Sequence, residues 1–192
     1  MPVSLVLWDW NGTLLNDVAL GLASLNRNLA RFGYPQQYTL AEYREIFTFP
    51  IQDYYALAGF DFTRHPYEVL AQAYMQDYLP ACESVALNPE AKAALQAVQA
   101  MGIRLYFGQL LGLGDIYAKS KVERGLQYLQ QSGVDPAQAV CVGDTLHDYE
   151  VSRALGARCV LFSGGHQSQK RLETAGVPVI RSLCELPGLL EI

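Results

Sequence analysis

Residues 5–15 read Leu5-Val6-Leu7-Trp8-Asp9-Trp10-Asn11-Gly12-Thr13-Leu14-Leu15, an apolar run that ends in a carboxylate and an Asn-Gly turn. A short apolar run bounded by a turn is typical of a buried strand, so we expect a strand over Val3 to Trp8 with Asp9 at its carboxyl end. Open α/β sheets bind their ligands at the carboxyl ends of parallel strands. The stretch therefore predicts a ligand site at Asp9.

The composition is typical of a globular protein with a substantial core. The chain has 192 residues, of which 51% are hydrophobic and 17% are charged. The formal net charge is −5 and Lys and Arg form no run, so we expect neither nucleic acid nor an anionic membrane as a partner. No signal peptide or membrane span is recognised, and a cytoplasmic location is expected. Cys141 and Cys159 lie in apolar runs and are predicted to be buried free thiols.

The chain from residue 16 to residue 85 shows helical patterns and no convincing strand. One predicted helix begins at a capping box formed by Thr39 and Glu42. Another is expected to end before Pro80, because proline disrupts a helix interior. This all-helical block follows the first strand directly, so we expect it to cover the carboxyl edge of the sheet as a lid.

Strands and helices alternate after residue 86, which predicts a parallel sheet covered on both faces. The fold class is therefore α/β. Further strands are predicted over Ile103 to Phe107, Ala139 to Val142, Arg158 to Phe162 and Val177 to Ile180. The expected domains are a core of residues 1–15 and 86–192 and a helical cap of residues 16–85.

A second acidic loop, Gly143-Asp144-Thr145-Leu146-His147-Asp148, follows the strand over Ala139 to Val142. Its two aspartates project to one face as the chain enters a helix. If the two strands are neighbours, Asp9 joins them, and three adjacent carboxylates repel one another unless a cation lies among them. Oxygen ligands of this kind suit Mg²⁺. Each piece alone is equally typical of an ordinary turn or helix cap.

Lys121 would add a compact positive charge for a phosphate group. It lies next to Ser120, which with Glu123 forms a second capping box and is expected to start a helix. A solvated surface lysine is the alternative interpretation.

These motifs, namely Asp9-Trp10-Asn11-Gly12-Thr13, Lys121 and Gly143 to Asp148, resemble those of the haloacid dehalogenase superfamily of phosphohydrolases. A small helical (C1-type) cap after the first motif is similar to the phosphoglycolate-phosphatase-like branch. The resemblance spans nearly the whole chain. It implies a Rossmann-like, doubly wound core with an inserted cap, Mg²⁺ as cofactor and an aspartyl-phosphate intermediate. The implied function is hydrolysis of small-molecule phosphate esters by a monomer or a homodimer.

The resemblance also implies roles for individual residues. Asp9 would be the nucleophile. Mg²⁺ would be held by Asp9, the backbone carbonyl of Asn11, and Asp144, with Asp148 as a further ligand or as support for the others.

The phosphate group would be bound by Thr13 and by nearby backbone N–H groups such as that of Gly12. Lys121 would neutralise the charge on the phosphoryl group and on Asp9. His147 is expected to be an exposed loop residue, and His166 carries no pattern that suggests a role.

Asn11 is the first departure from the family pattern. The family's phosphatases usually place an aspartate two residues after the nucleophile, where it protonates the leaving group and then activates water. An asparagine keeps the backbone carbonyl but cannot exchange a proton, and acid–base help is typically worth ~10²–10⁴-fold in rate. We therefore expect slow hydrolysis of alkyl phosphates, or a substrate whose leaving group needs no proton.

The second departure lies at the junction Phe107–Gly108. Family members place a Ser or Thr at the tip of the second core strand, followed by a helix and a further strand before the lysine. Here no Ser or Thr occurs between Ser84 and Ser120. Either one strand–helix unit is missing near Phe107–Gly108, or a stretch is omitted from the sequence. The abrupt junction favours a deletion or an omission over gradual divergence.

Two alternative functions remain open. A phosphonate hydrolase would not need an acid at position 11, but that branch typically uses a cap lysine, and residues 16–85 contain none. A catalytically impaired relative that binds phosphate or metal would explain both Asn11 and the absent hydroxyl.

Overall fold

The computed structural model of the chain describes residues 2–107 and 119–190. In this part of the chain five parallel strands form one sheet in the order β2-β1-β3-β4-β5. The strands are β1 (Leu5–Trp8), β2 (Arg104–Phe107), β3 (Ala139–Gly143), β4 (Arg158–Phe162) and β5 (Val179–Ile180). The prediction of an α/β fold with a parallel sheet is confirmed, and each expected strand is present.

Helices account for most of the remaining described residues. They are α1 (Val18–Arg31), α2 (Leu40–Ile46), α3 (Ile51–Leu57), α4 (Tyr67–Cys82), α5 (Ala91–Ala100), α6 (Lys119–Ser132), α7 (Leu146–Leu155), α8 (Gln169–Glu173) and α9 (Leu186–Leu190). Among the residues that the structure describes, no helix is both long enough and apolar enough to cross a membrane.

Apolar side chains cover both faces of the sheet, because successive residues of a strand point to opposite sides. Val6 and Trp8 of β1 belong to one buried cluster, together with residues of α5 and α9. Leu5 and Leu7 belong to another cluster, with residues of α6 and α7. The sheet is thus enclosed by helices on both sides, as near-continuous apolar strands require.

The helical segment between β1 and α5 has a core of its own. Leu25 and Leu29 of α1 pack with Tyr54, Tyr55 and Leu70 in a cluster that contains no strand residue. This separate cluster is what the predicted cap of residues 16–85 requires, although the exact domain boundaries stay a prediction.

Two helices begin at capping boxes, and the first of these caps was predicted from the sequence. Thr39 and Glu42 form the expected capping box, in which the Thr39 N–H donates to the Glu42 carboxylate at 2.8 Å. Helix α7 begins after Thr145, which forms a capping box with Asp148. Because the cap residues are local in sequence, these boundaries could be predicted without knowledge of the tertiary structure.

Two local predictions were wrong. Helix α4 continues through Pro80 to Cys82, although proline has no N–H to donate to the carbonyl four residues earlier. Helix α6 already includes Lys119, so Ser120 is not its N-cap.

The junction Phe107–Gly108 lies at the limit of the described residues, and the chain that follows it is outside them. The predicted loss of a strand–helix unit is therefore not tested. Phe107, the last residue of β2, is exposed, and in the described part of the chain β2 pairs only with β1.

Candidate active site

The adjacent ends of β1 and β3 bring the two acidic motifs together. Trp8 is opposite Val142 in the parallel register, and the backbone N–H of Asp9 donates to the Val142 carbonyl at 2.8 Å. In the sheet, β2 lies on one side of β1, and the strands that follow, beginning with β3, lie on the other side. This change of side opens a crevice at the carboxyl ends of β1 and β3. Asp9 and Asp144 both follow these strand ends.

Three carboxylates meet in this crevice. Asp9, Asp144 and Asp148 each offer one oxygen, and these oxygens lie within 4.8 Å of one another. The Lys121 ammonium donates to Asp9 Oδ1 at 2.6 Å and to Asp148 Oδ1 at 3.2 Å. The expected convergence of these four side chains from β1, β3, α6 and α7 is therefore present.

The electrostatics of the cluster reflect burial and crowding. Burial and the charges of Asp9 and Asp148 raise the pKa of Asp144, and the backbone N–H and charge of His166 only partly oppose this. Burial likewise raises the pKa of Asp9, against the attraction of Lys121. At Asp148 burial is outweighed by Lys121 and by hydrogen bonds from Thr145, and its pKa is lowered. One ammonium group does not fully compensate three carboxylates.

Residues 12 and 13 lie against Asp144. Gly12 has φ +75°, and a Cβ atom at this position would collide with the Asp144 carboxylate, so glycine is required here both for conformation and for space. Thr13 is fully buried, and its hydroxyl donates to Asp144 Oδ1 at 3.2 Å. The described structure thus places Thr13 in contact with a carboxylate, while its predicted contact with phosphate stays a prediction.

The side chain of Asn11 is held by hydrogen bonds to two partners from the helical segment. Its amide donates to Asp17 Oδ2 at 2.9 Å and to the Tyr78 hydroxyl at 2.7 Å. Asp17 also accepts the backbone N–H of Gly12 at 2.6 Å. These bonds require an amide donor at position 11, because a carboxylate there would face the Asp17 carboxylate.

His166 and Asp17 were missed by the sequence analysis. His166 is buried, its backbone N–H donates to Asp144 Oδ2 at 2.6 Å, and its ring Nδ1 is 2.8 Å from the Tyr43 hydroxyl. Its Nε2 is 3.4 Å from Asp17 Oδ1. Burial would raise the pKa of Asp17, but the His166 hydrogen bond and charge, with bonds from Tyr78 and Asn11, lower it to about 2.

A sequence signal for His166 did exist. Gly164-Gly165-His166 follows β4, so its turn lies at the same edge of the sheet as Asp9 and Asp144. The position after a parallel strand, rather than any motif, was the informative feature.

His147 is buried, and the prediction of an exposed histidine is wrong. It is 8% exposed, and its ring packs on Phe49 with centroids 4.7 Å apart. The burial depends on Phe49, which lies 98 positions earlier in the chain. Its Nε2 has no hydrogen-bond partner among the described residues.

A cleft of about 340 Å³ connects the carboxylates with the helical segment. On the sheet side it is lined by Asp9, Asp144, Asp148 and Lys121. On the helical side the lining is mainly aromatic and apolar apart from the Asp17 carboxylate, and its other members are Tyr43, Phe47, Phe49, Ile51, Tyr74, Met75 and Tyr78. Tyr54 is buried in the helical core and does not line the cleft.

Reciprocal hydrogen bonds join α2 and the loop after it to the sheet side. The Arg44 guanidinium donates to the carbonyls of Gly164 and Gly165, each at 2.9 Å. Arg171 donates in the opposite direction, to the carbonyls of Arg44 at 3.0 Å and Phe47 at 2.7 Å. The helical wall of the cleft is therefore fixed to the turn that carries His166.

The donor set fits a hard divalent cation. All three groups are oxygen donors that converge within 4.8 Å, and burial together with the charges of Asp9 and Asp148 raises the pKa of Asp144. A cation among them would relieve their mutual repulsion. The residues able to hold it are Asp9, Asp144 and Asp148.

Comparison with known proteins identifies the class. The sequence model of the haloacid dehalogenase-like hydrolases matches residues 3–156, and the chain belongs to this family. The family assignment made from the sequence is confirmed, and with it the expectation of a hydrolase. Among proteins with curated functions, none matches the chain.

Solved structures share the fold at low sequence identity. A haloacid dehalogenase-like hydrolase from Streptococcus pneumoniae has a TM-score of 0.78 at 18% identity and covers 97% of this chain and 98% of its own. A predicted phosphoglycolate phosphatase from Haemophilus somnus has a TM-score of 0.69 at 15% identity, with 97% of each chain covered. A CbbY mutant from Rhodobacter sphaeroides, solved with xylulose-1,5-bisphosphate, has a TM-score of 0.67 at 20% identity, with 96% of each covered.

Proposed function

We propose that this protein is a Mg²⁺-dependent phosphatase that acts on small phosphorylated molecules through an aspartyl-phosphate on Asp9. The observation that carries the proposal is the meeting of Asp9, Asp144, Asp148 and Lys121 in one cleft. Carboxylates serve as nucleophiles toward phosphorus, and oxygen ligands with a nearby ammonium suit a phosphoryl group. Membership in a hydrolase family supports the same conclusion.

In the proposed reaction an oxygen of Asp9 attacks phosphorus, and the bond to the leaving-group oxygen breaks. The Lys121 ammonium, 2.6 Å from Asp9, stabilises the charge that moves between the carboxylate and the phosphoryl oxygens. Water then attacks phosphorus and frees Asp9. A Mg²⁺ ion held by Asp9, Asp144, Asp148 and the Asn11 carbonyl would supply further positive charge for the phosphoryl oxygens.

Asn11 determines how fast this reaction runs. Its amide cannot donate a proton to the leaving group as a carboxylic acid would, and it is already bonded to Asp17 and Tyr78. The enzyme would therefore hydrolyse alkyl phosphates slowly and substrates with good leaving groups faster, since acid–base help is worth ~10²–10⁴-fold.

The same proposal assigns roles to the predicted cap and core. Residues 16–85 would act as the specificity cap over the core of residues 1–15 and 86–192, because they supply the aromatic wall of the cleft. Gly12 and Thr13 would help to place the phosphate group. A cytoplasmic location and a monomeric or homodimeric state stay predictions.

Release of inorganic phosphate tests the proposal. We expect Mg²⁺-dependent phosphate release from acetyl phosphate by the wild type, lost on chelation with EDTA. The Asp9→Asn variant should be inactive, whereas the Asp53→Asn variant, which changes an exposed carboxylate on α3, should match the wild type. Activity that survives Asp9→Asn would reject nucleophilic catalysis at Asp9.

The role of Asn11 needs a paired design, because a carboxylate at position 11 would face Asp17. We expect Asn11→Asp combined with Asp17→Asn to restore a hydrogen-bonded amide–carboxyl pair and to raise the hydrolysis of glycerol phosphate more than that of acetyl phosphate. This role of Asn11 would be contradicted if the wild type hydrolysed glycerol phosphate fast and the combined variant did not improve that rate.

A second candidate function is binding without turnover. The fixed amide of Asn11 favours it, because the position that normally moves the proton is occupied by a group that cannot. Two results together would favour this candidate over the phosphatase. Calorimetry would detect binding of Mg²⁺ and phosphate, and a panel of phosphate esters would show no turnover.

A further inference from the structure

The helical wall of the cleft carries little charge. Phe47 and Phe49 form one aromatic pair, with ring centroids 5.7 Å apart, and Tyr74 and Tyr78 form a stacked pair at 5.8 Å. Ile51 and Met75 line the same cleft between the elements that carry these pairs. Flat aromatic walls favour a flat apolar ligand, which gains both buried area and ring–ring contact.

The segment that forms this wall contains few cations, all of them arginines. Residues 16–85 include no lysine, and their four arginines are Arg27, Arg31, Arg44 and Arg64. None of the four lines the cleft.

These arginines lie elsewhere. Arg27 is exposed on α1. Arg31 pairs with Asp77 at 2.9 Å, and Arg64 lies over the ring of Tyr34 at 5.3 Å. Arg44 donates to the two glycine carbonyls of the β4 turn. The helical wall therefore offers no guanidinium or ammonium group to a second anionic group of a substrate.

Among the described side chains, the lysine and the arginine that line the cleft are both on the sheet side. Lys121 and Arg124 lie one turn apart on α6, on the side of the cleft where Asp9 would receive the phosphoryl group. The sequence of residues 108–118 contains neither lysine nor arginine. Positive charge is thus concentrated where the transferred phosphate would bind.

This distribution contrasts with what doubly anionic substrates need. Phosphoglycolate, after which one structural relative is named, carries a carboxylate, and the xylulose-1,5-bisphosphate bound by another carries a second phosphate. Burying such a second charge against aromatic rings without a partner is costly. The cleft favours a substrate that is uncharged beyond one phosphate.

Resting on the phosphatase function proposed above, we propose that the substrate is an aryl phosphate monoester whose ring lies against the wall formed by Phe47, Phe49, Tyr74 and Tyr78. Attack by Asp9 forms the O–P bond and breaks the P–O(aryl) bond, and the electron pair leaves on the phenolic oxygen. A phenolate is a far better leaving group than an alkoxide and needs no proton from position 11. The phenolate later takes its proton from water.

A panel of four phosphates separates the two parts of the proposal. Phenyl phosphate has both the ring and the good leaving group, and benzyl phosphate has the ring with an alkoxide leaving group. Phosphoglycolate and xylulose-1,5-bisphosphate carry a second anion. With Mg²⁺ present, we expect kcat/KM for phenyl phosphate to exceed that for each doubly anionic compound by at least about tenfold. We expect benzyl phosphate to have a lower kcat/KM than phenyl phosphate, because kcat/KM reports the step in which the leaving group departs, whereas both esters form the same phospho-Asp9.

A charge placed in the apolar wall sharpens the test. Met75→Lys puts an ammonium in the lining of the cleft, and Val69→Lys puts the same group at an exposed position of the same helix, outside the lining. We expect Met75→Lys to shift the ratio of kcat/KM for phosphoglycolate over phenyl phosphate upward by about tenfold. We expect Val69→Lys to leave that ratio unchanged.

The outcomes distinguish the two proposals. If the wild type prefers phosphoglycolate or the bisphosphate, the aryl assignment is overturned while the phosphatase stands. Equal kcat/KM values for phenyl and benzyl phosphate would also overturn it, since the leaving group would then receive a proton. Failure to hydrolyse any of the four, or acetyl phosphate, overturns the phosphatase and the aryl assignment together.

Discussion

The two walls of the cleft differ in almost every physical respect. The sheet side gathers three carboxylates and an ammonium, all ending β1 and β3 or beginning α6 and α7. The helical side is built from paired aromatic rings and is lined by no lysine or arginine from residues 16–85. Different segments of the chain thus carry the two functions of the cleft. The sheet side supplies the charges that can act on phosphorus, and the helical side supplies the surface that can select an organic group.

The difference indicates how changes to each side should act. An alteration of the charged wall should affect every substrate to a similar extent, because each one presents the same phosphoryl group. An alteration of the aromatic wall should change which substrate is preferred. Interactions that join the walls should affect stability.

The largest effect is expected at Lys121. Lys121→Met keeps most of the side-chain length and removes the charge that compensates Asp9 and Asp148. We expect kcat to fall by about 10²–10³-fold for aryl and acyl phosphates alike, as for loss of one electrostatic donor. Arg153→Met, which removes an exposed charge from α7, is the matched control. A loss confined to one substrate would show that Lys121 acts on more than the phosphoryl group that all substrates share.

Removal of a carboxylate should abolish the response to metal. For the wild type we expect Mg²⁺ at one hundred times its Kd to increase the free energy of unfolding by about 2.7 kcal/mol. In Asp144→Asn this increase should disappear, while Asp53→Asn should retain it. Thermal unfolding with and without Mg²⁺ measures both, and an undiminished increase in Asp144→Asn would place the ion elsewhere.

Asp17 connects the walls, because it accepts hydrogen bonds from Asn11, Gly12 and Tyr78. Its folded pKa of about 2 lies below its ordinary value of 3.8. A depressed carboxyl pKa contributes stability above the ordinary pKa, and this stability is lost as the pH falls toward 2. At neutral pH the contribution is about 2 kcal/mol.

The Asp17→Asn variant tests this contribution. We expect it to be less stable than the wild type by about 2 kcal/mol at pH 7 and the two stabilities to converge as the pH falls from 4 toward 2. Urea unfolding at several pH values measures the difference. A difference in the free energy of unfolding that stays constant from pH 4 to pH 2 would show that the Asp17 carboxylate does not cause it.

The smallest effect is expected at the surface cap of α2. Thr39→Ala removes the capping box formed with Glu42 and should lower the free energy of unfolding by about 1 kcal/mol. Turnover should be unchanged, because this cap touches neither wall. A change in substrate preference would mean that the helical wall is positioned by more than its aromatic packing.

The features that could be predicted from the sequence are those with local or periodic signals. The strands follow from apolar runs, and the meeting of Asp9 with Asp144 follows from their places after two parallel strands. Lys121 could be assigned through its resemblance to a family motif.

The remaining features depend on contacts between distant segments. His147 is buried because Phe49 covers it, and His166 reaches Asp17 from a position 149 residues further along the chain. No local pattern encodes such pairs. The bonds from Asn11 to Asp17 and Tyr78 likewise appear only once the helical segment is placed beside β1.

Detection of the covalent intermediate tests the central claim most directly. The protein, mixed with phenyl phosphate and Mg²⁺ and quenched in acid, would be digested and its peptides measured by mass spectrometry. We predict one added phosphoryl group on the peptide that contains Asp9, and none on the same peptide of Asp9→Asn. Two results would contradict nucleophilic catalysis by Asp9. One is phosphate release by the wild type with the phosphoryl group on another residue, and the other is undiminished release by Asp9→Asn.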